Sequence, residues 1–250
     1  MAGLMSVKDW AFAIFAGAER RGVFDKLPAF QRDLSQYPEL AVLARNYGII
    51  RTECEALIVG NLRMPGMDEL TSYTAGGVHQ IQWKTFVFKS GDFITENCAL
   101  APKTAALLAQ IPGIYTAFFS VLEPRQYIKA HWGYWKGFVR YHLGVIIPND
   151  NCDRKCWIRI NPDAPAQGGD RSQIEQGDTY YWRNGQAVLF DDTFLHDAAN
   201  ESDQVRVVLF LDVARKMPWP LRLLNRLFLA IAHKTDAVKQ VRENAKIKTT

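Results

Sequence analysis

The run HWGYWKGFVRYHLGVIIP, His131 to Pro148, brings His131, Arg140 and His142 close together, and FDDTFLH ends at a further histidine, His196. Neutral imidazole is the commonest side-chain ligand of transition metals. His131 and His196 each fall beside a turn at the edge of a short apolar run. A His-x-Asp turn and a distal histidine can form the facial triad of a non-haem Fe(II) site, with two histidines, one carboxylate and three open positions. Here Gly133 stands where that carboxylate is expected. Two unlinked histidines leave the metal question open.

A third position calls for an anion. Arg206 opens RVVLFLDV, a nearly unbroken apolar run. Alternation along a strand puts Arg206 on one face with Val208 and Phe210. A buried guanidinium is costly unless it meets an anion, and its fork suits a carboxylate. Arg140 and His142, two apart in FVRYHLGVII, also share a face. Pairing of Arg140 with an internal Asp or Glu, and a satisfied core role for His142, are the structural alternatives.

The elements that must hold these residues change character along the chain. Residues 4 to 60 read mainly as helix, residues 61 to 80 as loop, and IQWKTFVFKSG as a strand. ALAPKTAALLAQIPG reads as a short helix with Pro102 near its start. From Ile114 onward, IYTAFFSVL, GFVRYHLGVII, KCWIRI, DTYYWR, GQAVLFD and QVRVVLFLDV are short runs parted by turn residues. That rhythm predicts an antiparallel sandwich or barrel. Residues 162 to 177 read as a long polar loop, and PLRLLNRLFLAIAHK as an amphipathic helix. The expected division is a mainly helical region over 1–100, a β core over 101–217, and a helix with its tail over 218–250.

The chain has 250 residues with 48% hydrophobic and 22% charged residues, enough for a real core. A net charge of +4 is too weak to argue for nucleic acid. The excess is concentrated: from Arg215 onward there are nine Lys or Arg against Asp236 and Glu243. The four cysteines form no CxxC pair, and reduced structural thiols are expected. WAFAIFAGA is too short to span a bilayer and is flanked by charge, so a cytoplasmic protein, at most peripheral to a membrane, is expected.

Four pieces together, HWG (131–133), RYHLGVIIP (140–148), GQAVLFDDTFLH (185–196) and Arg206, resemble the aspartyl/asparaginyl β-hydroxylase family of Fe(II)- and 2-oxoglutarate-dependent dioxygenases. The resemblance runs from Pro102 to Pro218. It implies a mainly β fold, a double-stranded β-helix (jelly roll, cupin-like) core with N-terminal helices and a C-terminal helix. It implies Fe(II) on His131 and His196, with glycine at 133 as a feature of the family. It implies 2-oxoglutarate held by Arg206, with Ser120, Arg140 and His142 contacting it, and O2 as the other co-substrate. CALAPKTAALLAQIPGI, YYWRNGQAVLFDDTFLH and MPWPLRLLNRL look closer to the lipid A hydroxylase branch, although that branch usually carries a carboxylate at the position of Gly133 and a membrane span. The substrate is therefore expected to be a small molecule, a peptidyl residue or a lipid acyl chain. A catalytically silent barrel binding a small acid or a partner protein is the rival reading. Asp191 or Asp192 would orient an imidazole or stabilise the turn, and Trp132, Tyr134 and Trp135 would wall a pocket or pack. The amphipathic helix, residues 218–233, is expected to pack on the barrel, with contact to anionic lipid as its alternative.

Overall fold

A computed structural model describes residues 7–60, 62–70, 81–164 and 168–247. Among these residues ten strands are formed: β1 (Trp83–Ser90), β2 (Asp92–Phe93), β3 (Ile114–Leu122), β4 (Gln126–His131), β5 (Phe138–Ile146), β6 (Cys156–Asn161), β7 (Asp178–Tyr181), β8 (Ala187–Phe190), β9 (Leu195–Asn200) and β10 (Arg206–Ala214). Eight α-helices among the same residues accompany them: α1 (Val7–Arg20), α2 (Ala41–Arg45), α3 (Tyr47–Val59), α4 (Met67–Leu70), α5 (Thr95–Leu100), α6 (Pro102–Ala109), α7 (Trp219–His233) and α8 (Asp236–Asn244). The strands make two antiparallel sheets, a major one in the order β2-β1-β3-β10-β5-β8 and a minor one in the order β4-β9-β6-β7. They face each other as a jelly roll.

Strand alternation gives the major sheet two different faces. On β10, Val207, Leu209, Leu211 and Val213 join Phe119, Val121, Tyr141 and Leu143 in a core covered by Ile50, Cys54 and Leu57 of α3 and Leu108 of α6. Register pairs the intervening residues with the opposite face: Val208 with Ser120 and Gly144, Phe210 with His142, and Asp212 with Arg140. That inner face meets Ile128, Ile158, Ile160 and Ala198 of the minor sheet in a second core. Both metal-competent histidines and all the cationic candidates thus lie toward one interior.

Three expectations are corrected. Residues 21–37 are not helical. Gly22 takes φ +70°, Pro28 interrupts the helical ladder, and Gln31 then bridges to Leu189 at the edge of β8. Strands β4 and β9 add to the runs visible in the sequence. The polar stretch 162–177 contains a 3-10 helix, Arg171–Gln176, capped by the Asp170 side chain, which accepts from the Ser172 N–H. Residues 165–167, most of the loop expected over 61–80 and the last three residues lie outside the described ones. The major sheet begins at Trp83, so helices and barrel interleave around residue 100. All four cysteines are free thiols.

A buried ionic cluster fastens α1 to the barrel. Lys136 reaches Asp191 at 2.7 Å and Glu19 of α1 at 2.8 Å, and Arg215 pairs with both acids. Burial alone would raise the Asp191 carboxyl, but Arg215 and Lys136 outweigh it and hold it below the usual carboxylate range. Removing one partner of such a cluster strands the others without water. Asp191→Ala is expected to cost about 3–5 kcal/mol in urea unfolding. Asp203→Ala, which breaks an exposed pair with Arg125, is expected to cost less than about 1 kcal/mol. Equal losses would contradict the anchoring role.

Candidate metal and anion site

Residues His131 and His196 are direct register partners across β4 and β9. Their rings lie 4.2 Å apart. Each ring is held by the same local device: Nδ1 of His131 is 2.7 Å from the Lys129 carbonyl, and Nδ1 of His196 is 2.8 Å from the Phe194 carbonyl. A carbonyl only accepts, so each Nδ1 carries the proton and each Nε2 keeps its lone pair. That is the tautomer a metal ligand needs. Burial lowers the pKa of His131, and burial, with the His131 ring beside it, lowers His196 well below the ordinary value, which favours the neutral form of both. Among the described residues no set of three or more His, Cys, Asp or Glu is arranged to hold a metal. The candidate donors are the two imidazoles.

At the position of the missing carboxylate, the space is already taken. The Gly133 N–H donates to the Asp192 carbonyl at 2.7 Å. A Cβ at 133 would stand 2.0 Å from Asp192 Oδ2 and 2.8 Å from that same carbonyl oxygen. Any side chain there would need the backbone of residue 192 to move. Burial pushes the Asp192 carboxyl up to about 6, with Arg140 opposing.

Arg206 is 2% exposed. Its Nε has no hydrogen-bond partner, and no carboxylate among the described residues pairs with it. Burial pulls the guanidinium down to about 10. Its Cζ lies 4.6 Å from the centroid of the Trp182 ring. That indole is located by the PND turn: Asn151 Nδ2 donates to the carbonyls of Trp182 and Cys156. Asn149, Asp150 and Asn151 all take positive φ there, a conformation that Asn and Asp tolerate better than other side chains. A ring-contact chain then joins the two halves of the site. His142 lies 5.8 Å from Trp182 and 4.9 Å from Phe190, and Phe190 lies 6.3 Å from His196.

The other candidates divide. His142 is buried with neither ring nitrogen partnered, so its satisfied-core alternative fails. Burial, with Arg140 and Arg206 nearby, lowers its pKa far below the ordinary value. Ser120 is buried across the sheet from Val208, and its Oγ accepts from Trp83 Nε1 at 2.9 Å, which leaves its O–H able to donate. Arg140 takes the alternative left open for it. Its Nε donates to Asp212 at 3.0 Å, its terminal nitrogen pairs with Asp192 at 2.9 Å, and it lies over the Phe210 ring. Asp212 lies across from it on β10 and Asp192 in the turn after β8, so in this structure both acids share its fork. Asp191 belongs to the ionic cluster. Trp135 packs on Phe15 and Phe228, Trp132 lies under Arg171, and Tyr134 is exposed. The roles of Trp182 and of Asp192 against Gly133 are not legible in the sequence beyond an aromatic beside the Asn-Gly turn and an Asp four before a metal-competent histidine.

With this geometry in view, the comparisons with known proteins are specific. Residues 44–216 match the family model Aspartyl/Asparaginyl beta-hydroxylase. The chain is 30% identical to the Ornithine lipid ester-linked acyl 2-hydroxylase of Rhizobium tropici over 243 residues, 97% of this chain and 79% of that protein. It is 29% identical to the human Aspartate beta-hydroxylase domain-containing protein 2 over 198 residues, 74% of this chain and 47% of that protein. The chain spans about half the length of these animal relatives. A solved prolyl-4-hydroxylase from Pseudomonas putida is similar at 13% identity and TM-score 0.40, over 82% of this chain and 100% of that one. The chain belongs to the aspartyl/asparaginyl β-hydroxylase family and is a hydroxylating enzyme. Family membership favours the enzyme over the silent barrel.

A neutral, buried His142 has a consequence for stability. The unfolded chain takes up a proton near pH 6.5, whereas folded His142 resists it, so its contribution is full above pH 6.5 and drains as pH falls. At pH 5.5 the loss is about 1.4 kcal/mol for one such histidine. His142→Phe fits the surrounding aromatic rings. In metal-free denaturant titrations it is expected to lose about that much less than the native chain between pH 7.5 and 5.5. An identical loss would mean that His142 does not stay neutral.

Proposed function

We propose that the chain is an Fe(II)- and 2-oxoglutarate-dependent dioxygenase that hydroxylates an unactivated carbon in the acyl chain of a lipid. The observation that carries this reading is the buried Arg206 without an anion, in the same interior as two neutral histidines whose Nε2 atoms are free. Both halves fit the groups they would hold. His131 and His196 would hold the ferrous ion. Arg206 would take the distal carboxylate of 2-oxoglutarate, with Trp182 shielding the pair from water. The Ser120 hydroxyl and a His142 N–H would donate to the co-substrate's oxygens. Iron with 2-oxoglutarate and O2 supplies hydroxylation of a C–H bond, with succinate and CO2 as the other products.

The protein's own groups supply position and charge. The carbonyls of Lys129 and Phe194 fix the two imidazole rings before any metal arrives. A guanidinium kept dry binds a carboxylate far more strongly than an exposed one would. Arg140 stays out of direct co-substrate contact in this reading. It holds Asp192 against Gly133 and so maintains the two-histidine form of the site. The acyl substrate is supported by the bacterial relative, whose similarity runs over nearly the whole chain, including the terminal helices outside the barrel.

His131→Ala and His196→Ala are expected to abolish succinate release. Arg206→Met is expected to weaken 2-oxoglutarate by about 2–4 kcal/mol, roughly 30- to 1000-fold, in calorimetric titration of the Mn(II)-loaded protein. Full activity in His196→Ala, or an unchanged 2-oxoglutarate affinity in Arg206→Met, would overturn the site. Mass spectrometry of lipids from cells with and without the protein is expected to show species gaining one oxygen. Such a gain on Asp- or Asn-containing peptides alone would overturn the acyl reading.

A further inference from the structure

Helix α7, WPLRLLNRLFLAIAH, has two apolar stripes where a packed helix needs one. The first is satisfied: Phe228, with Leu221 and Leu224, packs against Ala11, Phe15 and Ala18 of α1. The second is Trp219, Leu223, Leu227 and Ile231, spaced four apart and therefore on one face. These residues are 70%, 60%, 56% and 49% exposed. Trp10 of α1, 55% exposed, adds an indole at the seam between the two helices, 6.3 Å from the Phe228 ring. Packing on the barrel, the expectation from sequence, accounts for one face of α7 and leaves the other unexplained.

Charge identifies what covers it. Arg222 and Arg226 are exposed along one flank, Lys234 follows, and the helix contains no Asp or Glu. In a two-fold dimer this face would meet itself and bring like charges together. An anionic bilayer accepts the arginines and buries the leucines, and tryptophan favours the depth where headgroups meet acyl chains. We propose that the exposed face of α7, with Trp10, docks the protein on the surface of an anionic lipid bilayer. No described helix is long and apolar enough to cross a membrane, so docking is lateral.

The helix is also tied to the loop that follows the metal-competent strand β4. Asn225 accepts from Trp135 Nε1 at 3.2 Å and donates to the Gly137 carbonyl at 2.9 Å. Gly137 has no room for a Cβ, which would stand 2.1 Å from Asn225 Oδ1. Docking therefore bears on the segment that leaves His131. The inference rests on the two faces of α7 and stands apart from the acyl reading, which it complements.

The full-length chain would be sedimented with phosphatidylcholine vesicles with and without phosphatidylglycerol. Binding is expected to be about tenfold or more stronger with the anionic lipid and to fall with salt. The pair Leu223→Asp and Leu227→Asp is expected to lower it about tenfold or more. Arg222→Glu with Arg226→Glu is expected to abolish the preference for phosphatidylglycerol. Val59→Asp, on an exposed position of α3, is expected to change nothing. Unaltered melting temperatures separate these effects from misfolding. No sedimentation of the native chain, or undiminished binding by the leucine variant, overturns the proposal. So does a native dimer without vesicle binding that the leucine variant makes monomeric, since a second copy would then own the face. Turnover of a detergent-dispersed substrate by the leucine variant distinguishes failed docking from failed chemistry.

Discussion

A guanidinium inside a β-barrel with no carboxylate to neutralise it is a standing electrostatic cost. Arg206 sits on the inner face of the longest-buried strand, with the Trp182 indole beside it and an unpartnered Nε. Folding accepts that cost because strand alternation leaves the first residue of β10 no other face. Burial first, and then the Arg140 and Arg206 charges, lower the pKa of His142 beside this cation. In the proposed reading a dicarboxylate would find that dry guanidinium as its partner.

The two imidazoles depend on a different constraint, the register of the minor sheet. Pairing His131 with His196 across β4 and β9 makes them neighbours, although they are far apart in the chain. A one-residue slip would turn one of the rings to the opposite face. Around this pair the barrel is tightly occupied. Asp192 fills the space beside Gly133, Arg140 holds Asp192, and Asp212 holds Arg140 from β10. The candidate site thus offers two imidazoles, with a charged chain running from the glycine to the last strand.

Outer elements are fastened to the same short segment, 132–137. The Lys136 ammonium reaches into the ionic cluster with Glu19 of α1, and Asn225 of α7 brackets Trp135 and Gly137. The two helices that present the exposed tryptophans are therefore the two that grip the chain just after His131. A surface event at α1 and α7 and the geometry of the metal-competent strand share one set of contacts.

The strands that carry strong β-branched and aromatic runs, β3, β5 and β10, were legible from the sequence, because an apolar period of two has few other uses. The strands that carry the metal-competent histidines were not. LHDAAN in β9 is fully buried, yet three of its six residues are polar or titratable. Asp197 pairs with Arg159 and accepts from the Tyr127 hydroxyl, and the Asn200 amide is shared among three carbonyls. Partners distant in sequence make that burial possible, and periodicity cannot display them. For the same reason the sequence leaves the partner of Arg140 open between an internal acid and a ligand, and only folding puts Asp192 and Asp212 beside it. By itself, then, the sequence determined the alternating faces, the turns and the presence of imidazole and guanidinium on buried strands, since these follow from local periodicity and residue chemistry. Tertiary structure alone decided which charges are cancelled, which one is left for a ligand, and which of the two apolar faces of α7 is covered, because each depends on groups that only folding brings within reach.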